Sequence, residues 1–255
     1  MYPVDQLPAV SDEFQVLEAL VPLHDLRVIE LGCGAAKLAR DLVLRQPGCH
    51  VVGLEVDAVQ HAKNLAAPQD GLEFVRAGAE AVPCPDASFD LALMLKSLHH
   101  VQIPSMARAL GEVARILKPG GHFYVSEPIY DGALNAVVKL YNDEGVVRAA
   151  AQAALDEALA GTDYWMLCAE RRFAVPVSFK SFDAFEARMM RPTYADHHLD
   201  AAKIARVRDA FEEHGRAQGG HFVRPMLVRV LRRTSQPCAR QWRPRPVKQK
   251  NDSKQ

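Results

Sequence analysis

The sequence lacks the features of an exported or membrane-spanning protein. No apolar stretch approaches the roughly 18 residues that a membrane-spanning helix needs. The first residues, MYPVDQLPAVSDEF, lack the basic and apolar regions of a signal peptide. An excess of one charge is also absent, since 31 Lys and Arg balance 31 Asp and Glu, so net charge points to no polyanionic partner. These absences predict a cytoplasmic protein without a membrane segment.

Paired cysteines are absent as well. The five cysteines are an odd number, and none of them forms a C-x-x-C pair. The pattern predicts neither a disulfide framework nor a zinc site and is typical of thiols that stay reduced. His197 and His198 follow Asp196, but adjacent histidines point apart on a helix or strand. We therefore predict no metal site.

Short apolar runs alternate with amphipathic helical patterns along the chain. The predicted strands are 27–31, 50–54, 72–76, 89–95, 122–126, 172–180 and 221–231. The predicted helices are 11–20, 35–45, 57–67, 105–117, 132–160, 182–190 and 201–214. Strands and helices that alternate through short links predict an α/β fold, a Rossmann-like, doubly wound sheet of seven strands.

The predicted domain covers residues 1–234. Helical insertions at about 132–170 and 181–215 are expected to form a cap over an acceptor site. Residues 235–255 carry six Lys and Arg and one Asp and are interrupted by prolines, which predicts a disordered basic tail.

A glycine turn follows the first predicted strand. Gly32 and Gly34 allow a sharp turn and a close approach of a ligand, and the next helix offers backbone N–H groups to a negatively charged group. Glu55 ends the second predicted strand, where a carboxylate can accept hydrogen bonds from both hydroxyls of a ribose. These features fit a nicotinamide dinucleotide as well as another adenosine compound.

Two residues separate these alternatives. Lys37 stands where the dinucleotide fingerprint requires a third glycine. Glu30, two residues before Gly32, suits an ammonium group better than a pyrophosphate. The turn therefore favours a ligand with a ribose and an amino acid end.

Four stretches in order, between about residues 27 and 128, carry a resemblance to a known family. They are VIELGCGAA, GLEVD, AGAEAVPCPDASFDLALMLKSLHHV and RILKPGGHFYVSEP. The sequence resembles the class I S-adenosylmethionine-dependent methyltransferases, in the group that contains ubiquinone and trans-aconitate methyltransferases. The resemblance implies S-adenosylmethionine as the cofactor and an enzyme that transfers its methyl group.

The resemblance also implies roles for residues at the matching positions. Residues expected to hold the methionine end are Glu30, Gly32, Cys33 and Gly34. Glu55 is expected to hold the ribose, and Val56, Ala79 and Glu80 to lie beside the adenine. Lys96, Ser97 and Leu98 are expected near the methionine part and the methyl group.

The sequence departs from the family pattern at two positions. Gly78 replaces the aspartate that usually meets the adenine amino group, so adenine recognition would depend on backbone groups, on Glu80 or on shape. Ala36 occupies the third glycine position of the first motif, and its methyl group is expected to intrude only slightly.

Candidate catalytic residues follow the fourth and fifth strands. His99 or His100 could act as a general base, or could instead bond to the backbone and shape the loop. Glu127, Tyr130 and Asp131 are candidates for the acceptor pocket or turn residues. Residues that could contact an acceptor, or simply belong to the core, are Tyr141, Tyr164, Trp165, Met166, Met189, Met190 and Tyr194.

We therefore predict a methyltransferase that acts on a small organic acceptor by in-line displacement. The layout after the fifth strand is similar to that of trans-aconitate-like enzymes, which methylate carboxylates. The alternatives are an RNA methyltransferase that uses the basic tail, a non-catalytic protein that binds the cofactor, and a nicotinamide oxidoreductase, against which Lys37 argues. Nucleic acid is not the favoured partner, and no oligomeric state is predicted.

Overall fold

A seven-stranded sheet organises the part of the chain that the computed structural model describes, which is residues 6–161, 164–193, 195–215 and 220–234. The tail 235–255 and Tyr194, about which the sequence made predictions, lie outside these residues. The strands are β1 (Arg27–Leu31), β2 (His50–Leu54), β3 (Leu72–Val75), β4 (Phe89–Leu95), β5 (Leu117–Pro128), β6 (Trp165–Ser178) and β7 (His221–Arg233).

The strand order across the sheet is β3-β2-β1-β4-β5-β7-β6. Strands β1 to β5 pair in parallel, whereas β7 runs antiparallel to both β5 and β6. This is the predicted Rossmann-like, doubly wound sheet, and the prediction is confirmed.

Helices flank the sheet on both faces. They are α1 (Glu13–Leu20), α2 (Lys37–Arg45), α3 (Ala58–Leu65), α4 (Ile103–Ile116), α5 (Ala133–Val138), α6 (Gly145–Gly161), α7 (Phe182–Phe185) and α8 (Ala201–Gly215). Alternate residues of β1 face opposite cores: Val28 packs in a cluster with α1 and α2, and Ile29 in a cluster with α4 and α6. No helix in the described ranges is long and apolar enough to cross a membrane.

The region after β5 differs from the prediction. The helix expected at 132–160 is two helices, α5 and α6, separated by residues 139–144. Asp143 accepts a hydrogen bond from the Gly145 backbone N–H, so this carboxylate starts a new helix instead of lying inside one. The insertion expected to end at 170 ends its helical part at Gly161, because β6 begins at Trp165.

Some other boundaries also move. β5 begins at Leu117, five residues before the predicted start at 122. The helix expected at 182–190 is a single α turn followed by a π turn at Glu186–Met190. The helix expected at 11–20 begins at Glu13, because Asp12 caps α1 by accepting from the Phe14 backbone N–H.

A third core joins α5, α7, α8 and the ends of β6 and β7. Its aromatic centre is Phe179, Phe182, Phe185, Phe211 and Phe222. Ring centroids of Phe211 and Phe185 lie 5.1 Å apart, within the range of favourable aromatic pairs. We refer to α5, α6, α7 and α8 as the cap. Three residues of this third core, Leu134, Val138 and Tyr141, also line a cavity at the carboxyl ends of the parallel strands.

Candidate functional site

A large cavity opens where the parallel strands end. Its volume is about 1340 Å³, and loops after β1, β2, β3, β4 and β5 line it together with residues of the cap. Doubly wound sheets bind ligands at this edge. A pocket for a single small molecule is typically about 300–1,000 Å³, so the cavity can accommodate two ligands side by side.

The glycine turn forms one side of the cavity. Gly32 has a φ of +72°, and a Cβ added to it would lie 2.8 Å from the Cβ of Ser97. Ser97 is fixed there because its hydroxyl donates to the Leu31 carbonyl oxygen at 2.8 Å. Glycine is therefore required at position 32 both by backbone conformation and by contact with the loop after β4.

Ala36 has an unusual backbone conformation at the start of α2. It has a φ of 55° and precedes α2 in the left-handed region. This conformation costs a non-glycine residue about 1–2 kcal/mol. It explains why α2 begins at Lys37 and not at 35, and the slight intrusion expected of the methyl group stays a prediction.

Protein acceptors already occupy the backbone donors of the turn. The N–H groups of Gly32 and Cys33 both donate to the Leu54 carbonyl oxygen at 2.9 Å. The Gly34 N–H donates to Glu55 Oε2 at 2.8 Å. The Cys33 side chain is 7% exposed. Gly32 and Cys33 thus shape the turn through hydrogen bonds to β2.

Glu55 links the turn to the end of β2. Its second oxygen, Oε1, accepts from the Asp57 backbone N–H at 2.8 Å. A carboxylate has about four acceptor positions, so these two bonds leave capacity on the side that lines the cavity. Glu55 is where the sequence predicted it.

Asn64 is a residue of this site that the sequence reasoning missed. Its Nδ2 donates to the Gly34 carbonyl oxygen at 2.7 Å, and Gln60 donates to its side-chain oxygen at 2.9 Å. Asn64 is 3% exposed on the inner face of α3. A buried asparagine requires polar partners. An asparagine on the buried face of α3 is therefore the signal that could have identified this residue.

A second buried carboxylate, Glu30, lies beneath the turn. Its Oε2 accepts from the Ala39 backbone N–H at 3.2 Å. Burial raises the pKa of Glu30 to about 8, although the charge of Lys96 opposes this shift. Lys96 Nζ in turn pairs with Glu13 Oε2 at 3.2 Å, and Glu13 is a cavity residue that the sequence did not indicate.

The loop after β3 places Glu80 beside Gly78. A Cβ added to Gly78 would lie 2.6 Å from both carboxylate oxygens of Glu80. The carboxylate of Glu80 therefore fills the space into which a side chain at position 78 would project. Ala79 and the 60% exposed Val56 line the same part of the cavity.

A buried histidine–glutamate pair lies at the other end of the cavity. His99 and Glu127 are 4% and 2% exposed, and His99 Nδ1 is hydrogen-bonded to Glu127 Oε2. Glu127 Oε1 accepts from the Leu98 backbone N–H at 2.9 Å. His99 lines the cavity, whereas Glu127 lies behind it. Glu127 thus contacts His99 and the loop after β4 and does not itself line the cavity, and its role toward an acceptor stays a prediction.

His100 lies beside His99, with ring centroids 4.1 Å apart. Burial, and then the charge of His99, lowers the pKa of His100 to about 4. His100 is therefore neutral at neutral pH.

Tyr130 does not line the cavity, contrary to its prediction as a catalytic candidate. It is 42% exposed, and its hydroxyl donates to Asp143 Oδ1 at 2.7 Å. This hydrogen bond raises the pKa of Tyr130, which disfavours the phenolate form that a base would need. The phenol stabilises the turn before α6.

The residues that the sequence predicted to contact an acceptor divide into those that line the cavity and those that do not. Asp131, Tyr141 and Met189 line the cavity. Those that do not line it are Tyr164, Trp165, Met166 and Met190. Trp165 packs on Phe123 at the opposite end of the sheet, with ring centroids 5.7 Å apart.

The structure also forms a cluster of residues that could coordinate a metal. Among the described residues, His99, His100 and Glu144 are the group whose ligand atoms all lie within 4.8 Å of one another. The sequence had drawn attention to His197 and His198 instead, and the side chain of His197 bonds to the Met190 carbonyl oxygen at 2.9 Å. Arg148 pairs with Glu144, so a cation at this cluster would compete with a guanidinium.

The fold and the site define an α/β protein with a glycine turn and one large cavity at the carboxyl ends of its parallel strands. A family profile for the methyltransferase domain matches residues 29–125. The sterol 24-C-methyltransferase ERG6B of Gibberella zeae is 30% identical over 185 residues, which are 60% of this chain and 48% of that protein. The demethylmenaquinone methyltransferase of Thermus thermophilus is 35% identical over 45% of this chain and 54% of its own.

Solved structures share the fold. A protein described as a methyltransferase from Bacillus halodurans superposes with a TM-score of 0.61 at 17% identity, covering 88% of this chain and 99% of its own. Residues 29–125 are thus similar to the methyltransferase domain that the profile describes, and the fold of the chain is the one these solved structures share. It spans about half the length of the curated relatives it matches.

Proposed function

We propose that the protein transfers the methyl group of S-adenosylmethionine to a small organic acceptor. The observation that carries this proposal is the arrangement of one cavity, with the Gly32–Gly34 turn and Glu55 at one end and the His99–Glu127 pair at the other. The relatives are named for sterol and demethylmenaquinone, which supports a small acceptor.

The residues at the turn fit the cofactor. A Cβ added to Gly34 would meet nothing within 4 Å, so the turn is open at this position, and Glu55 retains acceptor capacity for ribose hydroxyls. Glu30 and Glu80 add carboxyl groups to this end of the cavity. Acidic residues suit a cofactor that carries a sulfonium and an ammonium group.

Adenine recognition is proposed to depend on Glu80. Its carboxylate occupies the space beside Gly78, where the family usually places an aspartate. From this position Glu80 can accept a hydrogen bond from the adenine amino group, and the exposed Val56 can pack against the ring.

The acceptor is activated at His99. The cofactor, when bound, supplies an electrophilic methyl group, so the protein needs mainly to orient and desolvate the nucleophile. Glu127 holds Nδ1 of His99 and leaves Nε2 directed toward the cavity, where Glu144 Oε2 is 3.9 Å away. Nε2 can remove the proton of an acceptor hydroxyl or acidic carbon, and Glu127 stabilises the imidazolium that results.

The first experiment tests the cofactor and the acceptor class together. Binding of S-adenosylhomocysteine is measured by calorimetry, and the protein is then incubated with methyl-labelled S-adenosylmethionine and fractionated cell extract. We expect binding and label in the small-molecule fraction. Label in RNA would favour the RNA methyltransferase, and binding without any transfer would favour a non-catalytic protein.

The second experiment tests the base. His99→Gln is expected to lower the rate of transfer at least about a hundredfold, because positioned acid–base groups typically contribute that much, while binding of S-adenosylhomocysteine stays intact. His100→Gln is the matched control and should change the rate less than about fivefold. Equal effects of the two changes would contradict the assignment.

A further inference from the structure

Arginine side chains line one wall of the cavity, beside the cap. Arg224 lies on β7, two positions before Met226, which pairs with Pro128 at the end of β5. The next residue, Pro225, accepts a hydrogen bond from the Ile129 backbone N–H at 2.9 Å. Arg224 therefore lies just past the strand that carries Glu127, on the acceptor side of the cavity.

Arg224 differs from the other cavity arginines in its partners. Arg148 is held by Glu144 and by Asn135, with Nη1 3.0 Å from Asn135 Oδ1. Within the described ranges, by contrast, neither Arg224 nor Arg188 has a carboxylate within 4.0 Å. Arg188 lies over the ring of Phe179 at 5.5 Å.

An arginine in this position is costly without an anion. Burial, and then the charges of Arg148 and Arg188, lowers the pKa of Arg224, although the charge of Glu144 opposes this shift. Charged groups withdrawn from water need a partner, and a guanidinium matches the geometry of a carboxylate through two parallel hydrogen bonds. The carboxylate of this wall, Glu144, is already paired with Arg148, so an oxyanion that pairs directly with Arg224 would have to come from a ligand.

Apolar side chains line part of the acceptor side, beside polar residues that include Asp131, Asn135 and Asn142. The apolar residues are Leu134, Val138, Val147 and Met189. We propose that the methyl acceptor has an apolar body and a carboxylate or similar oxyanion, which the guanidinium of Arg224 binds with the support of Arg188. This inference rests on the proposed function, because the anion belongs to the acceptor of the same reaction.

The test compares two probes that differ only in their charged group, octanoate and 1-octanol. Binding of each is measured by calorimetry to the full chain, with and without S-adenosylhomocysteine. We expect octanoate to bind at least about tenfold more tightly than the alcohol, because a charge-assisted pair is lost in the alcohol. Equal affinities, or no binding of octanoate, would overturn the inference.

Variants assign the preference to one residue. Arg224→Met keeps most of the volume without the charge and should remove the preference for octanoate, and Arg224→Lys should reduce it. Arg229→Met is the control, because Arg229 lies on the same strand but pairs with Asp156 and Glu170. A preference that persists in Arg224→Met overturns the proposal.

The two proposals fail in different ways. If the wild-type protein does not bind S-adenosylhomocysteine, the proposed function fails, whatever the octanoate result. If S-adenosylhomocysteine binds equally to wild type and Arg224→Met while both bind octanoate and octanol alike, only the acceptor inference fails. Arg224→Met should bind S-adenosylhomocysteine within about twofold of wild type, which also shows that it is folded.

Discussion

Replacing Glu80 and Gly78 together tests how the protein reads adenine. Glu80→Ala removes the carboxylate that fills the space beside Gly78. A hydrogen bond to a charged group contributes about 1.5–3 kcal/mol, and the lower value applies to a site that remains open to solvent. We therefore expect about a tenfold weaker binding of S-adenosylhomocysteine.

The effect of Gly78→Asp on cofactor binding is expected to depend on whether Glu80 is present. Gly78→Asp alone places a Cβ 2.6 Å from both oxygens of Glu80 and a second carboxylate beside the first, so it should weaken binding as well. When Glu80→Ala is added, the space is empty and the aspartate can take over. The double variant should return to within about threefold of wild type.

Calorimetric titration of the wild type, the two single variants and the double variant gives the required comparison. The matched ligand is the inosine form of S-adenosylhomocysteine, which lacks the amino group of the adenine ring and should bind the wild type and Glu80→Ala equally. If the double variant shows the summed losses of affinity of the two single variants, without recovery, the assignment of Glu80 is refuted.

The other predictions concern the cofactor carboxyl groups and the cap. Glu55→Ala should weaken S-adenosylhomocysteine binding by more than about tenfold, because it removes ribose acceptors and frees the Gly34 N–H; titration showing less than a twofold loss would contradict this. Because the pKa of Glu30 is raised to about 8, binding of an ammonium group at pH 7 should release most of a proton, seen as a buffer-dependent heat of binding that Glu30→Gln abolishes. The folded state binds the Glu30 proton more tightly than the unfolded chain, so this contribution to stability is complete below the unfolded pKa and is lost as the pH rises toward 8. In denaturant titrations over this range, the wild type should therefore lose free energy of unfolding relative to Glu30→Gln. Phe211→Ala should cost about 3–5 kcal/mol of the free energy of unfolding, because Phe211 is 6% exposed at the centre of the cap, whereas Leu44→Ala, at a 70% exposed position, should leave the melting temperature nearly unchanged.

The parallel half of the sheet could be predicted from the sequence because its strands are continuous apolar runs. The bounds of β1, β2 and β4 agree with the prediction residue for residue. The bounds of β6 do not agree with the prediction. The first half of this strand alternates little between buried and exposed residues, and much of it is exposed at the edge of the sheet. Its pairing with β7 fixes its length, and such pairing is invisible in a local pattern.

Positions of candidate site residues within a sequence motif could be predicted. Residues that the fold brings together from distant parts of the chain were missed. The positions of Gly32, Gly34 and Glu55 follow from the motif after β1 and the end of β2. The contact of Lys96 with Glu13 joins residues 83 positions apart, and no spacing rule indicates it. The same holds for Arg224, whose position depends on how β7 returns beside β5.

The positions of the charged groups in the cavity have a consequence for acceptor choice. Glu30 and Glu55 line the part beside the glycine turn, and Arg224 and His99 line the part away from it. An acceptor whose anion is bound at Arg224 is held by one end, so only an atom at the right distance along its body can reach His99 and the methyl group. Because both anchors belong to the sheet, Arg224 on β7 and His99 through Glu127 on β5, their separation is fixed by strand pairing and not by a mobile loop. Acceptors should therefore be selected by the distance between their anion and their nucleophilic atom more than by the shape of their apolar body.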